Sequence, residues 1–238
     1  LGGTMAAAGL AVLGLGARTT RSAPQQQATP VSGVTGAPLT EPPVLRSTDG
    51  RLELALEAQY GPATLGGRPV TTYSYNGMIP GPTLRLRAGE TLAPTLTNRL
   101  DAVTNLHTHG LHVSPAGNSD NVLLEIAPGE TVDFAFDIPA SGASGLYIPG
   151  FYWYHPHIHG NTAVQVGGGM AGALVVEGAL DDLPGIAGVP ERIMVLGTSE
   201  FADDGTLKLF ADMLNPAVFV NGQEQPTIAI APGETDTT

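Results

Sequence analysis

The sequence predicts an all-β protein, a sandwich or a barrel of short strands. Turn-forming residues are abundant, because the 238 residues include 32 Gly and 20 Pro, whereas charged residues make up only 13%. Several short segments alternate apolar and polar residues, and no stretch in the body of the chain has a convincing helical period. This combination is typical of many strands joined by tight turns, and it disfavours a helical bundle or a disordered chain.

Alternating residues mark three of the predicted strands. Apolar and polar side chains alternate over residues 51–57, 84–87 and 131–138. Such alternation indicates a strand with one buried and one solvated face. The run over residues 91–100 contains Pro94, and because proline cannot donate a hydrogen bond to a sheet we expect an edge strand or a bulge there.

One unit of turn, strand and turn occurs twice. The frame Asn-Gly, Pro-Thr, alternating strand and Gly-Glu-Thr stands at residues 76–91 and again at residues 221–235. Such a repeat indicates a second copy of one domain, and this copy stops before its core could close. We therefore expect a fragment: one complete β-domain over residues 44–180, a link, and the incomplete start of a second domain over residues 190–238.

The first 43 residues are typical of targeting and lead-in sequence. Residues 1–23, apolar or small up to Arg18 and Arg21, predict a signal-peptide remnant, with an N-terminal helix as the alternative. Residues 24–43 predict a flexible lead-in. We expect export to the periplasm or the extracellular space, and no membrane association once the leader is removed. The Tat route is one option, although the twin arginines of Tat signals are absent.

Charge and cysteine content narrow the function. The net charge is −12, from 10 basic and 22 acidic residues. Surfaces that bind nucleic acids or anionic membranes need clustered basic residues, so neither is expected as a partner. Because the sequence has no cysteine, it offers no disulfide, thiolate ligand or thiol nucleophile. Any metal must therefore be held by His, carboxylate or Met side chains.

The histidines are the strongest functional signal. All six lie in two short clusters, His107, His109 and His112, and His155, His157 and His159. Residues i and i+2 of a strand share a face, so each His-x-His pair should present two imidazoles side by side. One such pair is often structural or on the surface, but four imidazoles in two pairs favour a metal site for copper or zinc.

Three motifs resemble, in order and spacing, the N-terminal domain of bacterial multicopper oxidases, the laccase-like enzymes. They lie at residues 75–83 (Tyr-Asn-Gly-Met-Ile-Pro-Gly-Pro-Thr), 107–112 (His-Thr-His-Gly-Leu-His) and 153–160 (Trp-Tyr-His-Pro-His-Ile-His-Gly). Residues 170–178 resemble the strand that closes that domain. The resemblance covers roughly residues 44–238 and implies a cupredoxin fold, a Greek-key β-sandwich.

The resemblance also implies a role for each site residue. His107 would be a ligand of type 2 copper, and the type 3 copper pair would take His109, His155 and His157. In the family pattern His112 and His159 are not ligands, but His159 should share a strand face with the second pair, which leaves a hydrogen-bonding role open. Asp120 stands about where the family places an acidic residue that helps deliver protons to oxygen. An acidic residue of a surface turn is the alternative.

The activity that the resemblance implies is that of a copper-dependent oxidoreductase. Such an enzyme couples one-electron oxidations of a small reducing substrate or metal ion to the reduction of dioxygen to water. The family's C-terminal domain, with the type 1 copper site and its Cys, is missing here, so we expect the fragment alone to be inactive.

Several alternatives stay open at this point. A non-catalytic module that binds or stores copper could use the same four imidazoles. The two pairs alone would also permit a mononuclear zinc hydrolase. Such an enzyme needs a catalytic base, and the pairs have no obvious catalytic Glu beside them. A copper nitrite reductase would need an adjacent His-Cys pair, which is absent, and a copper-free relative should have lost ligands that are intact here.

Overall fold

The computed structural model describes most of the chain. It covers residues 36–142, 149–179, 181–208, 212–231 and 233. The predicted signal-peptide remnant, and the predicted lead-in up to residue 35, lie outside the described residues.

Thirteen strands and one helix are formed by the described residues, and the strands build two large sheets and one small sheet. The strands are β1 (Val44–Arg46), β2 (Arg51–Leu65), β3 (Arg68–Tyr75), β4 (Thr83–Arg87), β5 (Thr91–Asn98), β6 (His107–His109), β7 (Thr131–Asp133), β8 (Phe136–Asp137), β9 (Gly150–His155), β10 (Gly172–Glu177), β11 (Leu196–Ser199), β12 (Ala217–Val220) and β13 (Gln223–Glu224). One large sheet has the order β1-β4-β10-β9-β6, and the other has the order β3-β2-β5-β7 with β8 also on β5. The small sheet has the order β11-β12-β13.

The core lies between the two large sheets and follows the predicted alternation. Leu52 and Leu56 of β2, and Leu84 and Leu86 of β4, are almost completely buried. Charged neighbours on the same strands, at positions 51, 53 and 87, are exposed. Both sheets supply residues to one continuous apolar cluster. Burial of this cluster is the main stabilising term for the sandwich.

Pro94 lies in a central strand, so the expected edge strand or bulge is wrong. β5 is flanked by β2 on one side and by β7 and β8 on the other. The register is the same on both sides of the interruption, with Thr95 opposite Asp133 and Leu92 opposite Phe136. The N–H of Phe134 donates to the Pro94 carbonyl at 2.9 Å, but proline has no N–H to return the bond. The missing donor divides one strand into β7 and β8 without inserting a residue.

A short helix, α1 (Thr162–Gly168), was not expected from the sequence. Its seven residues are too few to show a helical period or to be stable in isolation. The buried side chain of Gln165 attaches it to the sandwich by accepting from the Thr104 hydroxyl at 2.8 Å and donating to the Val103 carbonyl at 2.9 Å. Within the described part of the chain, no helix has the length and apolarity needed to cross a membrane.

The two copies of the repeat have the same local structure. Asn76 and Asn221 each follow a strand and occupy the left-handed region, with φ of 54° and 51°. Gly77 and Gly222 follow with φ of 73° and 75°, which completes the hairpin turn that Asn-Gly favours. Each asparagine side chain accepts from one backbone N–H and donates to the carbonyl two residues earlier: Glu57 and Ala55 for Asn76, and Val195 and Ile193 for Asn221. The chain thus contains one complete sandwich and the first strands of a second.

Substitution of Asn76 should separate hydrogen bonding from backbone strain. Asn76→Gly removes both side-chain bonds and should lower the free energy of unfolding by about 1–3 kcal/mol. Asn76→Ala should lower the free energy of unfolding by roughly 1 kcal/mol more than Asn76→Gly does, because a Cβ disfavours the left-handed region. Urea denaturation followed by circular dichroism measures both values. Equal midpoints for the two variants would show that strain at this turn is negligible.

The described end of the predicted lead-in runs beside the second repeat copy. Pro38 forms a parallel bridge with Thr227, and the N–H of Thr40 donates to the side-chain oxygen of Gln223 at 2.6 Å. Backbone bonds also run from Leu39 N–H to the Thr227 carbonyl and from Thr227 N–H to Ala37. This part of the lead-in therefore has hydrogen-bonded partners in the second repeat copy. The domain boundaries remain predictions.

Ion pairs join β4 of the first sandwich to the predicted link and to the start of the predicted second domain. Arg85 is largely buried and pairs with Glu177 at 2.9 Å and with Glu191. Arg87 pairs with Asp182 at 2.9 Å. The exposed Arg87–Asp182 pair contributes little by itself. Together with the Arg85–Glu191 pair it connects both sides of the link to β4.

Candidate metal centre

The pairing of β6 with β9 brings the two histidine motifs together. The strands are antiparallel, with His107 opposite His155 and His109 opposite Trp153. Directly opposite residues of a ladder, and residues two apart on a strand, share one face of the sheet. The side chains of His107, His109, Trp153 and His155 therefore lie on one face at the edge of the sheet. The prediction that the first pair shares a strand face is confirmed.

Three imidazoles converge closely enough to hold one metal ion or a small cluster. Nitrogen atoms of His107, His109 and His155 lie within 4.8 Å of one another. His109 Nδ1 lies 3.2 Å from His155 Nε2. His155 is buried and His107 half-buried, while His109 is exposed. The group thus has a buried base and a side open to solvent.

His157 lies beside this group but not on the strand. β9 ends at His155, because Pro156 has no N–H with which to continue the ladder. The expectation that His155 and His157 share a strand face is therefore wrong. The ring centre of His157 is nevertheless 5.0 Å from that of His107 and 6.0 Å from that of His155. We refer to His107, His109, His155 and His157 as the histidine cluster.

Hydrogen bonds on the far side of two rings direct the other nitrogen of each ring, Nε2, towards the neighbouring histidines. His155 Nδ1 is 2.8 Å from the Pro156 carbonyl oxygen, to which only a protonated nitrogen can donate. His107 Nδ1 is 2.9 Å from Asp120 Oδ1. With Nδ1 carrying the proton, the lone pair of each ring lies on Nε2. A carbonyl or carboxylate behind the ring is the usual partner of a metal-binding histidine.

Asp120, the predicted acidic site residue, contacts both the backbone and a side chain of β6. Its Oδ1 accepts from the N–H of Thr108 at 3.0 Å as well as facing His107. The carboxylate is mostly shielded from solvent, with 11% of the side chain exposed. The structure thus brings Asp120 into direct contact with the cluster.

The environment of His155 keeps its imidazole neutral. Burial, and then the neighbouring His107, His109 and His157, lower the pKa of His155 from 6.5 to about 4, against an opposing effect of the Pro156 carbonyl. A charged imidazolium is disfavoured wherever solvation is lost. The ring therefore retains a lone pair well below neutral pH, as a metal ligand requires.

Trp153 is a site residue that the sequence reasoning missed. Its ring stacks on His155 at 3.9 Å and 20° and on His109 at 4.9 Å and 27°. One indole therefore contacts imidazoles from both strands. The signal was available, because Trp153 is the only Trp and stands two residues before His155 on the same strand.

His112 and His159 are both exposed. His159 lies in a turn after the end of β9, so the expectation that it shares a strand face with His155 and His157 is wrong. The reason is again the end of the ladder at Pro156.

A family model described as multicopper oxidase matches residues 57–181, just over half of the chain. The matched range includes Asp120, Trp153 and all six histidines. The chain belongs to the multicopper oxidase family. Similarity to solved members of this family confirms the predicted cupredoxin-like sandwich, complete in its first domain and begun in a second.

Individual relatives are much longer than this chain. The multicopper oxidase mco of Staphylococcus aureus is 34% identical over 145 residues, 58% of this chain and 30% of that protein. The cell division protein FtsP of Edwardsiella tarda is 29% identical over 205 residues, 83% of this chain and 42% of that protein. A crystal structure of laccase from Pediococcus acidilactici is 29% identical with a TM-score of 0.64, covering 80% of this chain and 42% of the laccase. The chain spans less than half the length of each.

Proposed function

We propose that this multicopper oxidase chain supplies four imidazoles to a copper cluster that reduces dioxygen to water. The observation that carries the proposal is the convergence of His107, His109 and His155 on one face of β6 and β9, with nitrogen atoms within 4.8 Å of one another. His107 is proposed as the type 2 ligand. His109, His155 and His157 are proposed as type 3 ligands.

The donor set fits copper. Every donor is an imidazole, and the sequence has no Cys that would favour a thiolate zinc or iron–sulfur site. Among divalent first-row metals, nitrogen sites of this kind hold copper most tightly. Copper bound there would supply the one-electron redox chemistry that dioxygen reduction requires.

The chain's own residues orient the ligands and handle protons. Asp120 holds the proton of His107 on Nδ1 and thereby directs Nε2 into the cluster. Its carboxylate, close to the cluster and partly in contact with solvent, can also take up a proton and pass it on. Trp153 covers one side of two ligand rings and limits their rotation.

We propose that the activity of the whole protein needs more copper ligands than these 238 residues supply. We propose that a further domain of the same polypeptide supplies the remaining ligands and a type 1 copper site. In the absence of any Cys, these 238 residues alone should not turn over a reducing substrate. The other proposed partners are dioxygen and a small reducing molecule or metal ion, and the proposed location is the periplasm or the extracellular space.

A copper-binding or storage module without catalysis is the second candidate. It is favoured by one feature of the site: all four imidazoles belong to this chain, and His109 and His157 are exposed to solvent. Such a module would bind copper tightly and stoichiometrically without any further domain. Electron paramagnetic resonance (EPR) distinguishes such a module from the proposed type 3 site. Type 3 copper is a coupled pair whose EPR signal is weak or absent.

Copper titration of the 238-residue chain tests the proposal. Cu(II) should bind at the cluster and quench the fluorescence of Trp153, which is the only indole and stacks on two ligand rings. The double variant His107→Ala/His155→Ala should lose this quenching. His159→Ala is the matched control, because His159 is exposed and lies outside the cluster.

The outcomes separate the candidates. Quenching that survives in the double variant would place copper elsewhere and overturn the proposal. Binding of one tight Cu(II) with a full isolated EPR signal would favour the storage module. Oxidation of a laccase substrate by this chain with copper added would contradict the expected need for a further domain.

A further inference from the structure

Asn105 is a polar residue buried at the centre of the site's framework. It lies two residues before His107 and is completely shielded from solvent. Its side-chain oxygen accepts from the backbone N–H of His157 at 2.6 Å, and its side-chain nitrogen donates to the Val122 carbonyl at 3.0 Å. One amide therefore joins three chain segments: the approach to β6, the segment after β9, and the loop that carries Asp120.

The segment after β9 depends on this bond because it has left the sheet. The ladder between β6 and β9 ends at His155, and Pro156 cannot donate. The next backbone N–H, that of His157, is directed to Asn105 instead of to a strand. This bond fixes the backbone from which the His157 ring reaches to 5.0 Å from His107.

The loop over residues 114–124, here called the Asp120 loop, is anchored at two points by asparagine side chains. Near its start, Asn118 donates to the Asp133 carbonyl at 2.9 Å. Near its end, the Val122 carbonyl accepts from Asn105. Asp120 lies between the two anchors, so its distance to His107 depends on both.

We propose that Asn105 is a positioning residue that couples the Asp120 loop to His157. Loss of its amide would leave a partly buried N–H and a partly buried carbonyl without these partners, and the two segments could then move independently. The position of His107 would change through Asp120, and the position of His157 would change directly. The proposal rests on the proposed copper site only in that these residues are taken as ligands and ligand partners.

Two substitutions of Asn105 distinguish the hydrogen bond to His157 from the hydrogen bond to Val122. Asn105→Ala removes both hydrogen bonds. Asn105→Asp retains an oxygen that accepts from His157 but removes the N–H that Val122 requires. The matched control is Asn98→Ala, because Asn98 is also fully buried and its amide also bridges backbone groups of the same domain, at Ala102, Ile126 and Leu100.

Hydrogen exchange by NMR on the copper-free chain is the first measurement. We expect the backbone amide of His157 to exchange about tenfold faster in Asn105→Ala, and to stay slow in Asn105→Asp and in Asn98→Ala. Copper titration is the second measurement. We expect both Asn105 variants to bind Cu(II) roughly tenfold or more weakly with an altered EPR spectrum, while Asn98→Ala keeps the wild-type spectrum.

The two measurements keep the two proposals apart. Slow exchange at His157 together with unchanged copper affinity in Asn105→Ala would overturn the role of Asn105. A wild-type chain that binds no copper would overturn the proposed function, and hydrogen exchange would still decide whether Asn105 positions His157. If Asn105→Ala does not fold, a wild-type copper spectrum and affinity in Asn105→Asp would also overturn the coupling.

Discussion

Asp120→Ala should weaken copper binding by about tenfold to a hundredfold, the usual effect of removing the partner behind a metal-binding histidine. The carboxylate accepts from Thr108 N–H and faces His107 Nδ1 at 2.9 Å. Without it, nothing in the described contacts of His107 holds the proton on Nδ1, so Nε2 is a lone-pair donor for only part of the time. Fluorescence titration through Trp153 measures the affinity, and the ¹⁵N shifts of His107 report the tautomer.

Asp120→Asn separates charge from hydrogen bonding. The amide oxygen can still accept from Thr108 and His107, so this variant should keep more of the affinity than Asp120→Ala. Asp133→Ala is the matched control, because Asp133 also accepts a hydrogen bond from a neighbouring strand, at 2.7 Å from Thr95, and lies outside the cluster. If Asp120→Ala keeps the wild-type affinity and His107 tautomer, Asp120 is a turn residue and not a partner of the site.

What the sequence predicts well are the features set by period and composition. Alternation located β2, β4 and the strand divided into β7 and β8, because a half-buried strand must alternate. The repeated Asn-Gly frame located two hairpin turns with the same backbone and side-chain bonds. The His-x-His spacing placed His107 and His109 on one face, since that geometry is local to a strand.

The errors arise where proline acts through its neighbours. At Pro94 the sequence shows a missing donor but not whether a strand lies on that side, and the sheet accommodates the loss by an interrupted ladder in its interior. At Pro156 the missing donor ends β9, which moves His157 and His159 off the strand. Proline lacks a donor in both cases, but the structural consequence of the missing donor depends on the tertiary partner.

Contacts between distant segments explain the rest. Asp120 is thirteen residues from His107 in the chain, and their contact depends on how the Asp120 loop folds back on β6. Asn105 reaches a residue 52 positions away. No local period encodes these distances. The stacking of Trp153 is intermediate, because its position two residues before His155 fixes the face but not the contact with His109.

The metal-free chain should lose stability as the pH falls from about 6.5 to about 4, and His155 should account for a large part of the loss. Burial and the neighbouring imidazoles lower the pKa of His155 in the folded chain to about 4, whereas an unfolded chain has the ordinary value of 6.5. Above pH 6.5 both states are neutral at this group and its effect on stability is nil. Below that pH the unfolded chain binds a proton at His155 that the folded chain does not bind, so the free energy of unfolding falls. Over the full interval the loss is about 3 kcal/mol.

His155→Phe isolates this contribution, because phenylalanine keeps a planar ring in the site but does not titrate. Carboxylates elsewhere change the stability of both chains alike, so only the difference between the two free energies of unfolding matters. That difference should change by about 3 kcal/mol between pH 7.5 and pH 4, in the direction that makes the variant less sensitive to acid. Urea denaturation with a chelator present measures it at each pH. Parallel curves for the two chains would mean that His155 is accessible to protons in the folded state, and the buried base of the histidine cluster would then be open to water.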